Sequence, residues 1–489
     1  MAKKPDNRYV NDLRRYAYTQ AQVLQTRSNL VPLGLAAIFL AAVAVVVGNH
    51  LVPDQTHMVI LVSAAVVGGY MALNIGANDV ANNMGPAVGS KVLTVTAAVA
   101  IAAICETAGA LLAGGDVVKT VAKGIISPGD AISNVEFRIM MLSALLAAAL
   151  WINLATVLNA PVSTTHSIVG GVLGAGIAAV GVDLVNWVTM GKIAASWVIS
   201  PVFGAAVSAS LLLFIKVKVL NVDDRLTAAK KWVPVLIALM GAAFTAYMAM
   251  KGLKKIWKPS TLETTAYATI ALLVSWVFAR PYIARQVVGL TNAKRDVYTL
   301  FNLPLIIGVA LLSFAHGAND VANAVGPLAA IVSTFDGNQG VSAKVGIPIW
   351  VMVIGAIGIA LGLALFGPKL IATVGQKITR LNASRAYCVA LSSAVTVLIA
   401  TTLGLPVSST HIAIGAIFGI GFLREFLEDP KRRKRNGNSD ANGNEAALQR
   451  SKRRLVRRRF VLSIAAAWVI TVPASAILAA IIFHIVRLF

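Results

Sequence analysis

Residues 76–90 read GANDVANNMGPAVGS, and residues 317–331 read GANDVANAVGPLAAI, with nine of the fifteen positions identical. A second pair of segments follows them in the same order. Residues 161–176 read PVSTTHSIVGGVLGAG and residues 406–421 read PVSSTHIAIGAIFGIG, with eight of sixteen identical. The first Gly and the Pro are 85 residues apart in one half and 89 in the other. Further on, WVIS at 197–200 answers WVIT at 468–471. Matched order and spacing make 58–215 and 300–489 two copies of one unit. They are 158 and 190 residues long, and the second is swollen by a charged loop of 36 residues, 424–459. Residues 1–57 (a basic leader and one extra span) and 216–299 (a middle linker with membrane segments) fall outside the repeat.

Composition places this duplicated unit in a membrane. Of the 489 residues 57% are hydrophobic and only 13% charged, where soluble domains carry about 25% charged residues. Mean hydropathy is +0.76. The frequent glycines suit close packing of membrane helices. A first apolar run at 33–48 follows a long polar lead without a small-residue cleavage site, which predicts an uncleaved span. Further apolar stretches lie near 58–75, 92–113, 139–158, 165–181, 190–215, 233–250, 262–279, 304–330, 347–366, 386–404, 408–423 and 460–486. They lack the alternation of a barrel, so they are read as helices. The expected fold is an all-α polytopic membrane protein of about twelve transmembrane helices. Duplication with interrupted helices is the signature of secondary transporters built from inverted repeats, with the substrate near the repeat interface. Cys105 and Cys388 lie in apolar runs without a CxxC context and are read as packing residues.

Asp79 and Asp320 stand in otherwise apolar surroundings. An Asp at the centre of a membrane helix costs roughly 2.5–3.5 kcal/mol, so it needs a cation, a proton or a hydrogen-bonding partner. Asn78, Asn82, Asn319 and Asn323 flank the carboxylates with amide oxygens. Gly76, Gly85, Pro86, Gly317, Gly326 and Pro327 are expected to open the helices there and to free backbone carbonyls. Carboxylate, amide and carbonyl oxygens together suit a hard cation such as Na⁺. A lone Asp of this kind is as readily a structural cap; a matched pair in two repeats favours the cation site.

The second motif is a different chemical object. Ser163, Thr164 and Thr165 precede an apolar, glycine-rich helix, and Ser408, Ser409 and Thr410 repeat the arrangement. Ser or Thr before such a run is an N-cap signature. Free N–H groups and the positive end of the dipole then form an anion site, with the hydroxyls as further donors for a tetrahedral oxyanion. Ordinary capping is the plainer reading of any single cluster. No Lys or Arg occurs in 58–90, 153–176, 304–331 or 401–421. The counter-charge for a bound anion must therefore travel with it, as Na⁺ or a proton. His166 and His411 end the two hydroxyl motifs, and His316 precedes the second heptad; all three are read as neutral imidazoles orienting nearby hydroxyls. Glu106 is a further intramembrane carboxylate that holds a cation or ties two helices together. No catalytic triad order, phosphate loop or metal cluster appears in the sequence, so no enzyme and no cofactor are expected.

The doubled GANDVAN heptad followed by PVSTTH and PVSSTH resembles the PiT family of inorganic phosphate transporters, over roughly 58–215 and 300–489. GPAVGSKVLT at 85–94, CETAGA at 105–110 and SFAHGANDVANAVGPL at 313–328 look like its sodium-coupled branch. The proton-coupled bacterial branch carries a first heptad closer to GFHDTAN. The resemblance implies an inverted-repeat fold with phosphate held between the halves. It implies phosphate contacts from Ser163, Thr164, Thr165, His166, Ser408, Ser409, Thr410, His411, Asn82 and Asn323. It implies Na⁺ contacts from Asn78, Asp79, Asn319, Asp320 and Glu106, where Cys105 replaces the family's usual aromatic before the glutamate. A homodimer is plausible for the family. The expected function is phosphate import by Na⁺ symport with alternating access. The alternative is a proton-coupled phosphate or sulfate permease; a passive pore and a divalent-metal carrier fit the hydroxyl motifs less well.

The net charge of +23 would suggest nucleic acid in a soluble protein. Here 13 basic and 5 acidic residues crowd into 424–459, and 6 and 2 into 1–29. This is a cytoplasmic topology signal in a cell inner (plasma) membrane protein, with contact to anionic lipid rather than nucleic acid. Lys251, Lys254, Lys255 and Lys258 sit one span from basic stretches on either side, so the usual charge bias predicts an interfacial segment or an exception in 216–299.

Overall fold

The computed structural model describes residues 30–49, 55–126, 131–157, 162–252, 258–335, 346–377, 381–427 and 458–488. The basic leader and most of the charged loop lie outside the described residues. Among the described residues, thirteen long helices carry the fold. They are α1 (Leu30–Asn49), α2 (Gln55–Gly89), α3 (Val95–Ala113), α4 (Asn134–Val157), α5 (Thr164–Val180), α6 (Trp187–Ile215), α7 (Arg225–Tyr247), α8 (Thr261–Gln286), α9 (Asn302–Val332), α10 (Ile349–Lys377), α11 (Ala383–Thr402), α12 (Ser409–Leu427) and α13 (Arg458–Val486). Twelve segments among the described residues are long and apolar enough to span a membrane. The remaining long helix, α5, has 17 residues and reaches about 26 Å, short of a ~30 Å hydrocarbon core. Among the described residues, β-structure is limited to one isolated bridge, Ile126 to Val185.

The two copies interlock. α2 packs chiefly on α10 of the other repeat, and α9 packs on α3. Likewise α5 packs on α13, and α12 on α6. Each exchange has its mirror, so the halves are related by a pseudo-two-fold. Gly109 of α3 and its C-cap Gly114 meet Phe314 and Val321 of α9, so those two helices run parallel; the turn at 90–94 sets α3 against α2, and the second repeat therefore runs inverted.

The glycines explain how the exchange is made. A Cβ on Gly76 would strike the Ile359 carbonyl of α10, and one on Gly317 would strike the Glu106 carbonyl of α3. Gly362 lies as tightly on Leu73, and Gly109 on Phe314. Gly170 and Gly174 meet Val472 and Ala476, while Gly415 and Gly419 meet Pro201 and Ala205. Without a hydrophobic drive between helices in lipid, such small-residue contacts hold a membrane bundle together. Residues 311–332 of α9 are all buried at the centre. α1 and α8 lie outside, with Leu30, Ile38, Leu262 and Phe278 exposed.

Two expectations change. The heptads do not open their helices: α2 continues through Gly76, Gly85 and Pro86, and α9 through Gly317, Gly326 and Pro327. Glycine here serves close approach, and proline frees one carbonyl (of Asn82 and of Asn323) without ending the helix. The span predicted at 58–75 is correspondingly the front half of a 35-residue helix. The interruptions lie at the second motif, where α4 turns into α5 and α11 into α12. In the middle segment, Lys251 Nζ lies 2.6 Å from Asp116 Oδ2. One of the four lysines is thus neutralised by repeat 1, while Lys254 and Lys255 lie outside the described residues.

Gly317→Val should lower the melting temperature of the purified protein, because the added carbons meet backbone that cannot move aside; overpacking of this kind costs about 1–3 kcal/mol. Gly191→Val, in α6 with open space around it, should leave the melting temperature unchanged. Equal melting of the two variants would refute the close-packing role.

Candidate functional site

The two heptads meet the two hairpin tips at the centre of the molecule. Ser163 caps α5 by accepting the His166 N–H at 3.2 Å, and Ser408 accepts the His411 N–H at 3.3 Å. Each serine caps through one lone pair, which holds the first turn in shape and leaves its O–H available to donate to a ligand. The hydroxyls beside them reach the carboxylates. Thr164 Oγ1 donates to Asp79 Oδ2 at 3.1 Å, and its counterpart Ser409 donates to Asp320 Oδ2 at 3.2 Å. The asparagines cross between repeats. Asn82 Nδ2 donates to Thr410 at 2.8 Å, and Asn323 Nδ2 donates to Thr165 at 3.0 Å. Thr410 donates onward to Asp79 Oδ1 at 3.2 Å, whereas Thr165 donates to the Val407 carbonyl at 2.9 Å. Asp79, Asp320 and both hydroxyl triplets are buried.

Asn319 and Asn78 sit beside the carboxylates in different roles. Asn319 Nδ2 donates to Thr401 Oγ1 and the Leu405 carbonyl, and its Oδ1 accepts the Val407 N–H. Both ends of the amide thus tie down the strand of chain leading to the second tip. Asn78 Nδ2 donates to Asp79 Oδ1 at 3.1 Å. The His166 and His411 rings face each other across the pseudo-two-fold, with centroids 4.7 Å apart, and Trp197 packs edge-on against His166 at 3.9 Å.

His316 departs from its expected place among hydroxyls: it lies among carboxylates. Its Nε2 is 2.8 Å from Asp320 Oδ2 and 3.8 Å from Asp79 Oδ2, and its Nδ1 is 3.2 Å from Glu106 Oε1. Asn83 Nδ2 donates to the same Glu106 oxygen at 2.8 Å. Ligand atoms of Asp79, His316 and Asp320 all lie within 4.8 Å of one another, close enough to share one cation. The buried oxygens Asp320 Oδ1, Glu106 Oε2, Asn83 Oδ1 and Asn323 Oδ1 have no hydrogen-bond partner. Oxygen donors left unsatisfied beside buried carboxylates cost free energy unless something binds them.

The polar spur at His316 and Glu106 belongs to one half alone. In the other half the equivalent positions, by the matched glycine contacts, are Ile75 and Ile359, both buried. Asn83 has Ala324 as its counterpart. Asn83 was invisible to motif reading for that reason; the one available signal was a polar residue in an apolar, glycine-rich run. Thr401 does have a counterpart, Thr156, but both lie just ahead of the duplicated PVS segments and so outside the motif.

The model of the phosphate transporter family matches residues 75–479. Among similar proteins, one from Helicobacter pylori, described as “Putative phosphate permease”, is 48% identical over 414 residues, 83% of this chain and 77% of its own length. One from Pyrococcus abyssi with the same description is 34% identical over 436 residues, 87% of this chain and 97% of its own. Among solved structures, one titled the sodium-dependent phosphate transporter superposes with a TM-score of 0.78 at 35% identity, covering 88% of this chain and all of that one. With the doubled heptads, the crossed asparagines and an all-helical membrane fold already in place, these matches make the chain a member of the phosphate transporter family.

Proposed function

We propose that this protein imports inorganic phosphate across the plasma (cell inner) membrane by symport with Na⁺, through alternating access of one central site. The observation that carries the reading is the buried set of three carboxylates, Asp79, Glu106 and Asp320, gathered on a single imidazole. The helix segments that build the site contain no Lys or Arg, so an anion can join these carboxylates only with added positive charge. Phosphate sits between the tips of the two hairpins, where the N-termini of α5 and α12 supply N–H groups and partial positive charge. Its hydroxyl donors are Ser163 and Ser408, whose O–H groups capping leaves free, and Thr164, Ser409 and Thr410 once a cation at Asp79 and Asp320 releases theirs, with Thr165 beside them. Ser163 and Ser408 shape the tips, His166 and His411 line them, and Asn82 and Asn323 position the threonines. Na⁺ takes the oxygens of Asp79, Asp320, Glu106 and the neighbouring amides, Asn78 included. Asn319 contributes by holding 405–407.

Coupling follows from charge. Na⁺ neutralises the carboxylates that would repel phosphate, and phosphate supplies the negative charge that retains a second cation, so each raises the other's affinity. The hydroxyls that bind phosphate also contact Asp79 and Asp320, which makes the two sites one network. The cycle forms no covalent bond and needs no cofactor beyond the carried cation. The inverted halves supply two related arrangements, each opening the site to one side.

Uptake of labelled phosphate into proteoliposomes tests this. An inward Na⁺ gradient should drive accumulation above equilibrium, and sulfate should compete poorly. Accumulation that needs an inward proton gradient and ignores Na⁺ would favour the proton-coupled reading; equilibration without accumulation would mean a passive pore.

Asp79→Asn and Asp320→Asn should each lower Na⁺-driven uptake at least about tenfold, since each loses a charged ligand worth more than ~1.4 kcal/mol. Both variants should remain inserted and folded. Wild-type uptake by both rules out the cation assignment.

Thr410→Val removes the hydroxyl between Asn82 and Asp79, and uptake should drop about fivefold or more for a lost buried hydrogen bond. Thr402→Val, whose hydroxyl bonds only its own helix at Leu398, is the control and should transport normally. Matching rates for these two threonine variants would remove Thr410 from the site.

A further inference from the structure

α6 and α11 leave between them a groove of about 350 Å³ beside the second hairpin. Its walls are apolar apart from the buried Ser196, Ser200 and Thr396 hydroxyls, and Lys192 is the one charged side chain in the lining. Lys192 lies near the start of α6, five residues beyond Trp187, which is exposed and donates its indole N–H to the Val182 carbonyl at 3.1 Å. An exposed Trp at the start of a span marks the headgroup level. From Lys192 to Phe203 at the far end, α6 rises about 16 Å, roughly half of the ~30 Å hydrocarbon core. The groove is therefore as long as one leaflet and has an ammonium at its headgroup end.

The pseudo-symmetric face is built differently. Aligning His166 with His411 and Trp197 with Trp468 makes Trp151 the counterpart of Thr396 and Ser463 the counterpart of Lys192. An indole stands where α11 has a threonine, and the cation is absent. The lysine beside this hollow is particular to the first repeat's α6, so it does not follow from the duplication.

We propose that this groove binds one acyl chain of an anionic glycerophospholipid, with the headgroup phosphate on Lys192. Charge complementarity selects an anionic lipid over a zwitterionic one, whose own ammonium competes for the phosphate. The floor of the groove includes Leu405 and Val407, the same segment whose backbone is bonded by Asn319 and Thr165. Trp197 of α6 donates to the Pro406 carbonyl at 3.1 Å. The acyl chain thus braces the second hairpin tip from behind, whichever cation drives transport.

Native mass spectrometry of the purified full-length protein tests the site with two probes of identical acyl chains, phosphatidylglycerol and phosphatidylcholine. The wild type should retain one phosphatidylglycerol at concentrations where phosphatidylcholine is lost. Lys192→Gln should lower phosphatidylglycerol affinity about fivefold, bringing it near that of phosphatidylcholine. Ala195→Phe, which fills the groove, should remove retention of both. The unmodified protein gives an independent reading: phosphatidylglycerol with a diazirine in its acyl chain should label Phe203 and Ile399 in preference to the exposed faces of α1 and α8. Equal retention of the two lipids by the wild type, an unchanged preference in Lys192→Gln, or labelling spread evenly over the exposed helices overturns the proposal.

Discussion

Three buried carboxylates converge where the protein provides no Lys or Arg, and most of the architecture serves that arrangement. Charges of one sign in a low-dielectric interior repel strongly and lose their hydration. Only a dense web of donors makes their burial tolerable: Thr164 and Thr410 on Asp79, Ser409 on Asp320, Asn83 on Glu106, and His316 among all three. To bring these donors together, two heptad helices and two hairpin tips must meet within a few ångströms. The bare glycine surfaces at 76, 109, 317 and 362 allow that approach, and the exchange of helices between repeats places both tips on both heptads. The packing, the polar web and the charge deficit are one problem with one solution.

Much of this was legible in the amino-acid sequence, because duplication writes its message twice. The heptads and hydroxyl motifs located the repeats, the carboxylates, the crossing asparagines and the helix N-termini. What occurs only once was harder to read. Asn83 has an alanine as its counterpart, and the contact between His316 and Glu106 joins residues 210 positions apart with isoleucines in the mirrored places. The glycines were ambiguous in a more basic way. The same residue that permits a break also permits another backbone to lie against it, and only the neighbouring helix decides. At Gly76 and Gly317 that neighbour is α10 or α3, so the helices run on unbroken.

The serines show the same ambiguity at smaller scale. Ser163 and Ser408 could have faced a ligand or capped a helix, and both accept the backbone N–H three residues on. Capping uses one lone pair of each and fixes the first turns of α5 and α12, which leaves the adjacent threonines and Ser409 aimed at the carboxylates. A structural role at one position creates the functional geometry at the next. Asn319 acts similarly: by holding Leu405 and Val407, it sets the height at which the second tip enters the site.

Two identical inverted halves would have a simple thermodynamic property. Swapping the conformations of the halves turns the inward-open state into the outward-open one, so the empty protein would occupy both equally. Under the proposed alternating-access cycle, the His316–Glu106 contact against its isoleucine counterparts Ile75 and Ile359 would remove that degeneracy. In that cycle one conformation would strain or relieve a polar contact and the other an apolar one, so the unloaded protein would have a preferred resting side. Divergence of a few side chains after duplication would thus be enough to give a symmetric machine a direction in which it waits.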